Sequence, residues 1–361
     1  VAALRAYDPG HDLPALRARF GPEGLAELGS NESPFGPPVA VRDRLAAIDA
    51  TTLLRYPDPK GTALRRALAE RLGVDPDAIL LGNGSHELLM LLAQCFAGPG
   101  EEVLFSEYGF AVFPIAAAAV GATPVRVPAL PRTAPMPRGH DLAAMAEAVG
   151  PRTRLVYLAN PNNPTGTTFT SAALERFLAA VPPDVPVVVD EAYAEYVTDP
   201  AVGSALALRG RYPNLVVTRT FSKAYGLAGL RIGYLVADPR LVAIVDRLRE
   251  SFNVNALALI AAEAALADRA HVARVREATR RDREGLFARL GEKGLFVHPS
   301  ATNFVLVDFG RDAAPIERRL LERGVVVRPM GGYGLPTCLR INTGTTEDHA
   351  RLLDALTEAL G

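Results

Sequence analysis

Lysine is almost missing from this 361-residue chain: of 39 basic residues only Lys60, Lys223 and Lys293 are lysines. A genome that favours arginine codons accounts for the bias. Lysine alone, however, offers a deprotonatable amine for covalent chemistry, so each of the three is worth locating. Cysteine is scarcer still. Cys95 and Cys338 are too few for a disulfide framework, and the 6 scattered histidines show no metal-ligand spacing, so no metal site is expected. A formal net charge of −1 leaves no basic excess to neutralise phosphates, which argues against a nucleic-acid partner. Apolar stretches such as LLMLLAQCFAG and ALALIAAEAALA fall short of the ~20 residues of a bilayer span, which argues against a membrane partner. The chain opens without a basic region and apolar core, and on Val1 rather than Met. The expectation is a soluble, cytoplasmic protein with a trimmed start.

What is present is enough apolar sequence for a large core: 49% hydrophobic, 22% charged, with no block of like charge. The length suggests two domains, and the composition excludes disorder. The first 60 residues read as loops, with the Pro/Gly/Asn clusters LGSNESPFGPP and RYPDPKG. From Gly61 the pattern becomes regular. TALRRALAERLG reads as an amphipathic helix closed by Gly73, AILL as a strand, and SHELLMLLAQCFAG as a buried helix. EEVLFSE, ATPVRVPA, RTRLVYLAN, PVVVDEAY and NLVVTRTFSK are apolar runs of strand length separated by helical stretches. This is the rhythm of βαβ units, and predicts an α/β fold with a mostly parallel central sheet and helices on both faces. After residue 247 a long helical region leads into NFVLVDFG, APIERRLLERG, VVVRP, CLRINTG and a last helix, which predicts a smaller α+β C-terminal domain.

In an open parallel sheet ligands bind beyond the carboxyl ends of the strands. Three strands here end in Asn160, in Asp190 with Glu191, and in Ser222 with Lys223. Their spacing suits successive βαβ units, so these groups should share one crevice. Each alone reads equally well as a structural polar group. Together with a phosphate site they suit pyridoxal phosphate, which needs a lysine for its aldehyde, an acid for its ring nitrogen and a helix N-terminus for its phosphate. Gly82-Asn83-Gly84-Ser85-His86, between a strand and a buried helix, is a candidate cup, completed by Ser222 and Arg231. A competing reading takes GNGSHE as a dinucleotide fingerprint and the protein as an NAD-dependent dehydrogenase. Against it, Glu87 replaces the third glycine, and Lys223 and Asp190 would have no role.

NPNNPTG at 160–166, VVVDEAY at 187–193 and TFSKAYGLAGLRIGY at 220–234 resemble the fold-type I pyridoxal-phosphate aminotransferases, and more narrowly the histidinol-phosphate aminotransferases. The resemblance extends from AYDPG near the start to VRPMGGYGLPTCLRINTG. It implies a homodimer with active sites at the interface. It also implies residues 1–30 as an arm joining the small domain and the interface, 31–247 as the cofactor domain and 248–361 as the small domain. By the same resemblance Lys223 carries the cofactor, Asp190 holds the pyridine nitrogen, and Asn160 and Tyr193 bond the phenolic oxygen. Tyr108 stacks on the ring. Ser85, His86, Ser222 and Arg231 surround the phosphate, with Tyr56 reaching in from the other subunit. Arg340 takes the substrate anion, aided by Arg328, Tyr7 and Asn31. Two departures stand out: His86 occupies a position where relatives often have Asp, and Gly331-Gly332 makes the loop before Arg340 glycine-rich. The activity implied is transfer of the amino group of L-histidinol phosphate to 2-oxoglutarate. Alternatives are an aromatic amino-acid aminotransferase, a decarboxylase of a phosphorylated amino acid, or a cofactor-binding regulator without turnover.

Overall fold

The computed structural model describes residues 10–21 and 23–361. In chain order the strands are β1 (Ala26–Glu27), β2 (Ile79–Gly82), β3 (Glu102–Ser106), β4 (Thr123–Val127), β5 (Thr153–Ala159), β6 (Val187–Asp190) and β7 (Leu215–Thr220). They continue as β8 (Gly233–Val236), β9 (Phe296–Val297), β10 (Phe304–Asp308), β11 (Val325–Val326), β12 (Arg328–Pro329) and β13 (Cys338–Asn342). The central sheet has 7 strands in the order β2-β8-β7-β6-β5-β3-β4. Strands β4, β3, β5, β6 and β7 run parallel, while β8 is antiparallel to both its neighbours. The strand β8 reverses because the segment between Thr220 and Gly233 holds only the single turn Ala228–Leu230 and no crossover helix. Helices cover both faces, and β5, β6 and β7 are buried almost throughout, which explains why they read as unbroken apolar runs.

A second sheet of 4 strands, β12-β13-β10-β9, is antiparallel throughout. Its outer face packs Val305, Val307, Leu339 and Ile341 against the helices Ala314–Glu322 and Thr346–Leu360, while its inner face looks toward the central sheet. The run VVVRP, which reads as one strand, divides at Val327. Val325–Val326 pairs in parallel with Ala26–Glu27, and Arg328–Pro329 pairs with β13. The chain near residue 26 is thereby tied to the C-terminal third.

The first 60 residues hold more helix than their punctuation suggests. Leu13–Phe20, Val39–Ala46 and Ala50–Leu54 are helical, the first and third under side-chain caps from Asp12 and Asp49. They were illegible because each is short and buries at most one residue, so no apolar stripe appears. The long helical region after residue 247 is two helices, Ala256–Ala267 and Arg269–Glu292, divided at Asp268, whose carboxylate caps the second through the His271 N–H. Ala256–Ala267 is apolar all round, and buries itself beside Val41, Leu64, Leu68 and Tyr225 of the larger body.

Candidate active site

Beyond the carboxyl ends of β5, β6 and β7 lies a cavity of about 390 Å³, walled on the far side by β12 and β13. Its size suits a cofactor or small substrate. One corner is a cup of hydrogen-bond donors. The helix Ser85–Phe96 starts there after Gly84, so its first N–H groups and dipole face the cavity. Glu87 fixes this turn by accepting both the Asn83 N–H and the Asn253 side-chain amide at 2.6 Å. Opposite, Thr220 Oγ1 donates to Ser222 Oγ at 2.9 Å, and Arg231, in the left-handed region with φ 55°, extends its guanidinium over Gly84. A Cβ at Gly84 would sit 2.4 Å from Arg231 Nη2, and one at Gly233 would sit 2.5 Å from the Ser85 nitrogen. Both glycines keep the cup open to an anion of phosphate size. His86 lines the same corner, with its pKa lowered by burial and by Arg231, so it stands neutral beside the guanidinium.

The floor is acidic. Asp190 at the end of β6 is buried, accepts from Thr218 Oγ1 at 2.9 Å, and is pushed up to about 6, chiefly by burial. Lys223 follows Ser222 in the turn after β7, with Nζ 5.7 Å from the Tyr193 ring centre. Burial, with help from Arg340 and Arg231, lowers its pKa to about 8, so its amine is far more often neutral than an exposed lysine's. Tyr193 accepts from Asn31 Nδ2 at 2.7 Å, and Asn31 Oδ1 is left buried with no hydrogen-bond partner among the described residues. That orphaned acceptor on the cavity wall marks a place where a polar ligand group belongs.

The far wall is cationic. Arg328 on β12 and Arg340 on β13 are directly opposite in register, and both line the cavity. Like charges in that position oppose each other, so the pairing suits a wall that receives an anion. Arg340 donates to Asn163 Oδ1 at 2.8 Å and to the Gly29 carbonyl at 2.7 Å, which holds its fork in a fixed plane. Arg328 packs under Gly10, where a Cβ would collide with its guanidinium.

Two expected residues are not at the cavity. Asn160 spends both ends of its amide on the Phe169 backbone, donating to its carbonyl at 3.0 Å and accepting from its N–H at 3.2 Å. The loop after β5 folds back on itself, so the first asparagine closes the loop and Asn163 returns to the cavity instead. Tyr108 is likewise displaced. The tight turn from Ser106 to Gly109 and a bond from Asn162 Nδ2 to the Tyr108 carbonyl aim its ring at Leu306, Met330, Leu335 and Cys338, and Phe110 lines the cavity. Tyr56 is 81% exposed and stacks on Phe252, away from this chain's own cavity. Tyr7 lies outside the described residues. Sequence reasoning also missed Thr220, which was hidden as an ordinary strand residue, and Glu32, a carboxylate at the mouth. Glu191, next to Asp190, turns away to a buried pair with Arg219 at 2.7 Å.

A cup for phosphate, a buried acid and a depressed lysine at adjacent strand ends of this fold define a pyridoxal-phosphate enzyme of fold-type I. Residues 23–356 match the family described as aminotransferase class I and II. The chain is 43% identical over its whole length to histidinol-phosphate aminotransferase 1 of Mannheimia succiniciproducens, covering 96% of that protein. It is 46% identical, again over its whole length, to histidinol-phosphate aminotransferase 2 of Methylococcus capsulatus, covering 97%. Among solved structures, histidinol-phosphate aminotransferase from Sinorhizobium meliloti in complex with pyridoxal-5'-phosphate superposes with a TM-score of 0.90 at 34% identity, covering 99% of this chain and 96% of that one. The chain belongs to the class I and II aminotransferases, and within them to the histidinol-phosphate aminotransferases.

Proposed function

We propose that the protein uses pyridoxal 5'-phosphate to move the amino group of L-histidinol phosphate onto 2-oxoglutarate, giving imidazole acetol phosphate and L-glutamate in histidine biosynthesis. The observation that carries this reading is the cross-strand pair Arg328 and Arg340 on the wall facing Lys223. One anchor must read a phosphate in one half-reaction and a carboxylate in the other, and two guanidiniums offer enough donors for both.

The cofactor supplies an aldehyde for the donor's amine and a cationic ring that draws electrons from the adjoining carbon. Ser85, His86, Thr220, Ser222 and Arg231 hold its phosphate, and Asp190 keeps its ring nitrogen protonated. Tyr193 and Asn163 are placed for its phenolic oxygen, and Phe110 for its face. Lys223 forms the covalent link at rest. Freed from that link, the Lys223 amine would be the base placed to move a proton from the donor's α-carbon. In the cofactor-free protein a pKa of about 8 leaves a neutral fraction of the amine available to form that link near neutral pH.

Domain division and assembly complete the reading. Residues 31–247 form the cofactor domain, 248–361 the small domain, with Ala256–Ala267 docked on the former, and 1–30 the connecting arm. Leu53, Leu54 and Tyr56 are 71%, 79% and 81% exposed in one short segment, a concentration of apolar surface that suits a homodimer interface. In that dimer Tyr56 reaches the partner's phosphate cup. Among the described residues no helix is long and apolar enough to cross a membrane, and the reaction's soluble substrates suit the cytoplasm.

The test presents the purified protein with histidinol phosphate, histidinol, phenylalanine, tyrosine and threonine phosphate, following glutamate formation and carbon dioxide release. Histidinol phosphate should be the best donor, and dephosphorylated histidinol a very poor one. A charged hydrogen bond contributes ~1.5–3 kcal/mol, about one to two powers of ten in kcat/KM. Arg328→Ala should therefore cost the histidinol-phosphate half-reaction about that factor while affecting glutamate less. Arg340→Lys should impair both, since a point charge cannot replace the fork. If phenylalanine outruns histidinol phosphate on the unaltered protein, the aromatic aminotransferase reading takes over.

A further inference from the structure

The inner face of the small sheet carries one line of residues across its strands. His298 follows β9 and donates its backbone N–H to the Leu306 carbonyl at 2.9 Å, Leu306 pairs with Arg340, and Arg340 pairs with Arg328. One end of this line is therefore the cationic wall of the cavity. The other end is gripped by a loop of the larger body, residues 128–139, between β4 and the helix Leu142–Glu147. There Arg138 donates through Nη2 to Asp308 Oδ2 at 2.9 Å and through Nη1 to His298 Nε2 at 2.9 Å. A guanidinium cannot accept, so Nε2 must carry the lone pair, and the proton sits on Nδ1, which donates to the Leu306 carbonyl at 3.0 Å.

Other features point the same way. Arg138 adopts φ 58°, a conformation that costs a non-glycine residue energy and persists where the surroundings hold it. The loop is closed beneath it by paired bonds between Leu130 and residues 138 and 139. Arg132 adds a second contact to Asp308 at 3.3 Å, and lies over the Phe296 ring at 4.0 Å. Burial, abetted by Arg138 and Arg132 and opposed by the Leu306 carbonyl and Asp308, keeps the His298 pKa at about 4. The imidazole is thus a neutral acceptor at neutral pH.

We infer that Arg138 is a positioning residue: by clamping His298 and Asp308 it sets the tilt of the small sheet, and with it the reach of Arg340 and Arg328 toward the substrate's anionic group. Arg138 itself does not line the cavity. The inference rests on the anion-wall reading of the arginine pair, and the experiment separates the two.

The experiment uses the holoenzyme, whose cofactor cup is already filled, with inorganic phosphate as a competitive inhibitor. Arg138→Met should raise KM for histidinol phosphate and the inhibition constant of inorganic phosphate together, by about 3–30-fold. Its kcat and the absorbance of bound cofactor should stay within about two-fold of the unaltered enzyme. Arg138→Lys, which can reach one partner at a time, should recover part of the loss. Asp308→Asn, which keeps the side-chain shape but weakens both arginine contacts, should move the same two constants in the same direction, and serves if Arg138→Met does not fold. A fall in Tm with both constants unchanged would overturn the inference and leave the clamp structural. Loss of kcat and of bound cofactor with phosphate inhibition intact would overturn it equally. If inorganic phosphate fails to inhibit the unaltered holoenzyme, the anion-wall reading falls, and the inference with it.

Discussion

Lys223→Arg should lower turnover by about four powers of ten or more, while a substantial part of cofactor binding survives. Arginine keeps the positive charge but can neither form the imine nor give up its proton near neutral pH. Both the covalent link and the proton transfer are lost together, and general acid–base catalysis alone is worth ~10²–10⁴. The phosphate cup is untouched, since Ser222 Oγ and the helix starting at Ser85 depend on the backbone and on Thr220 rather than on the lysine amine. Reduction of the unaltered protein with borohydride, followed by peptide mapping, should label the peptide containing Ser222-Lys223-Ala224, and the variant should show no label. Label on Lys60 or Lys293 would sink the assignment. A pH series adds a second reading. Because the depressed pKa lies at about 8, covalent capture of added cofactor by apo-protein should accelerate as pH rises through that value and then level off.

The scarcity of lysine made Lys223 easy to pick, and strand-end logic set it beside Asp190 because both follow apolar runs of strand length in successive βαβ units. Parallel strands buried on both faces announce themselves by composition alone, so the central sheet was legible, as was the cup at Gly84. What failed was direction within loops. Asn160 and Asn163 are three positions apart in one motif, and nothing in residue type says which amide closes the loop on Phe169 and which meets Arg340. The same holds for Tyr108 and Phe110. A strand's last side chain can be placed by alternation, but one turn later the facing is decided by contacts such as Asn162 Nδ2 on the Tyr108 carbonyl. The division of VVVRP between two sheets was equally hidden, because the partner of Val325–Val326 is Ala26–Glu27, some 300 residues earlier in the chain. Long-range pairing of two-residue strands leaves no periodicity to read.

The second large effect belongs to Asp190→Asn, expected to cut turnover by about two to four powers of ten while leaving the fold intact. A carboxylate facing the ring nitrogen stabilises its proton, and so the electron demand of the whole ring; an amide carries no charge to do so. Shape is preserved, because the Asn Oδ1 still accepts from Thr218 Oγ1 as Asp190 does at 2.9 Å. Stability follows from the shift. Burial, the dominant cause, raises the carboxyl of the cofactor-free protein from 3.8 to about 6. A raised pKa means that Asp190 favours the folded state below 3.8, and that this contribution is lost as pH rises through 6. At pH 7 the buried carboxylate of the apo-protein is therefore a net cost. The apo-form of Asp190→Asn should melt at the same temperature as the unaltered apo-protein or higher, and should lack its part of the stability decline between 3.8 and 6. In the holoenzyme the order should reverse, because the cationic ring favours the carboxylate. A cofactor analogue methylated on the ring nitrogen, and so permanently cationic, should restore much of the variant's turnover. Near-normal activity of Asp190→Asn with the ordinary cofactor bound would instead make Asp190 a structural acid, and place the ring's partner elsewhere on the cavity wall.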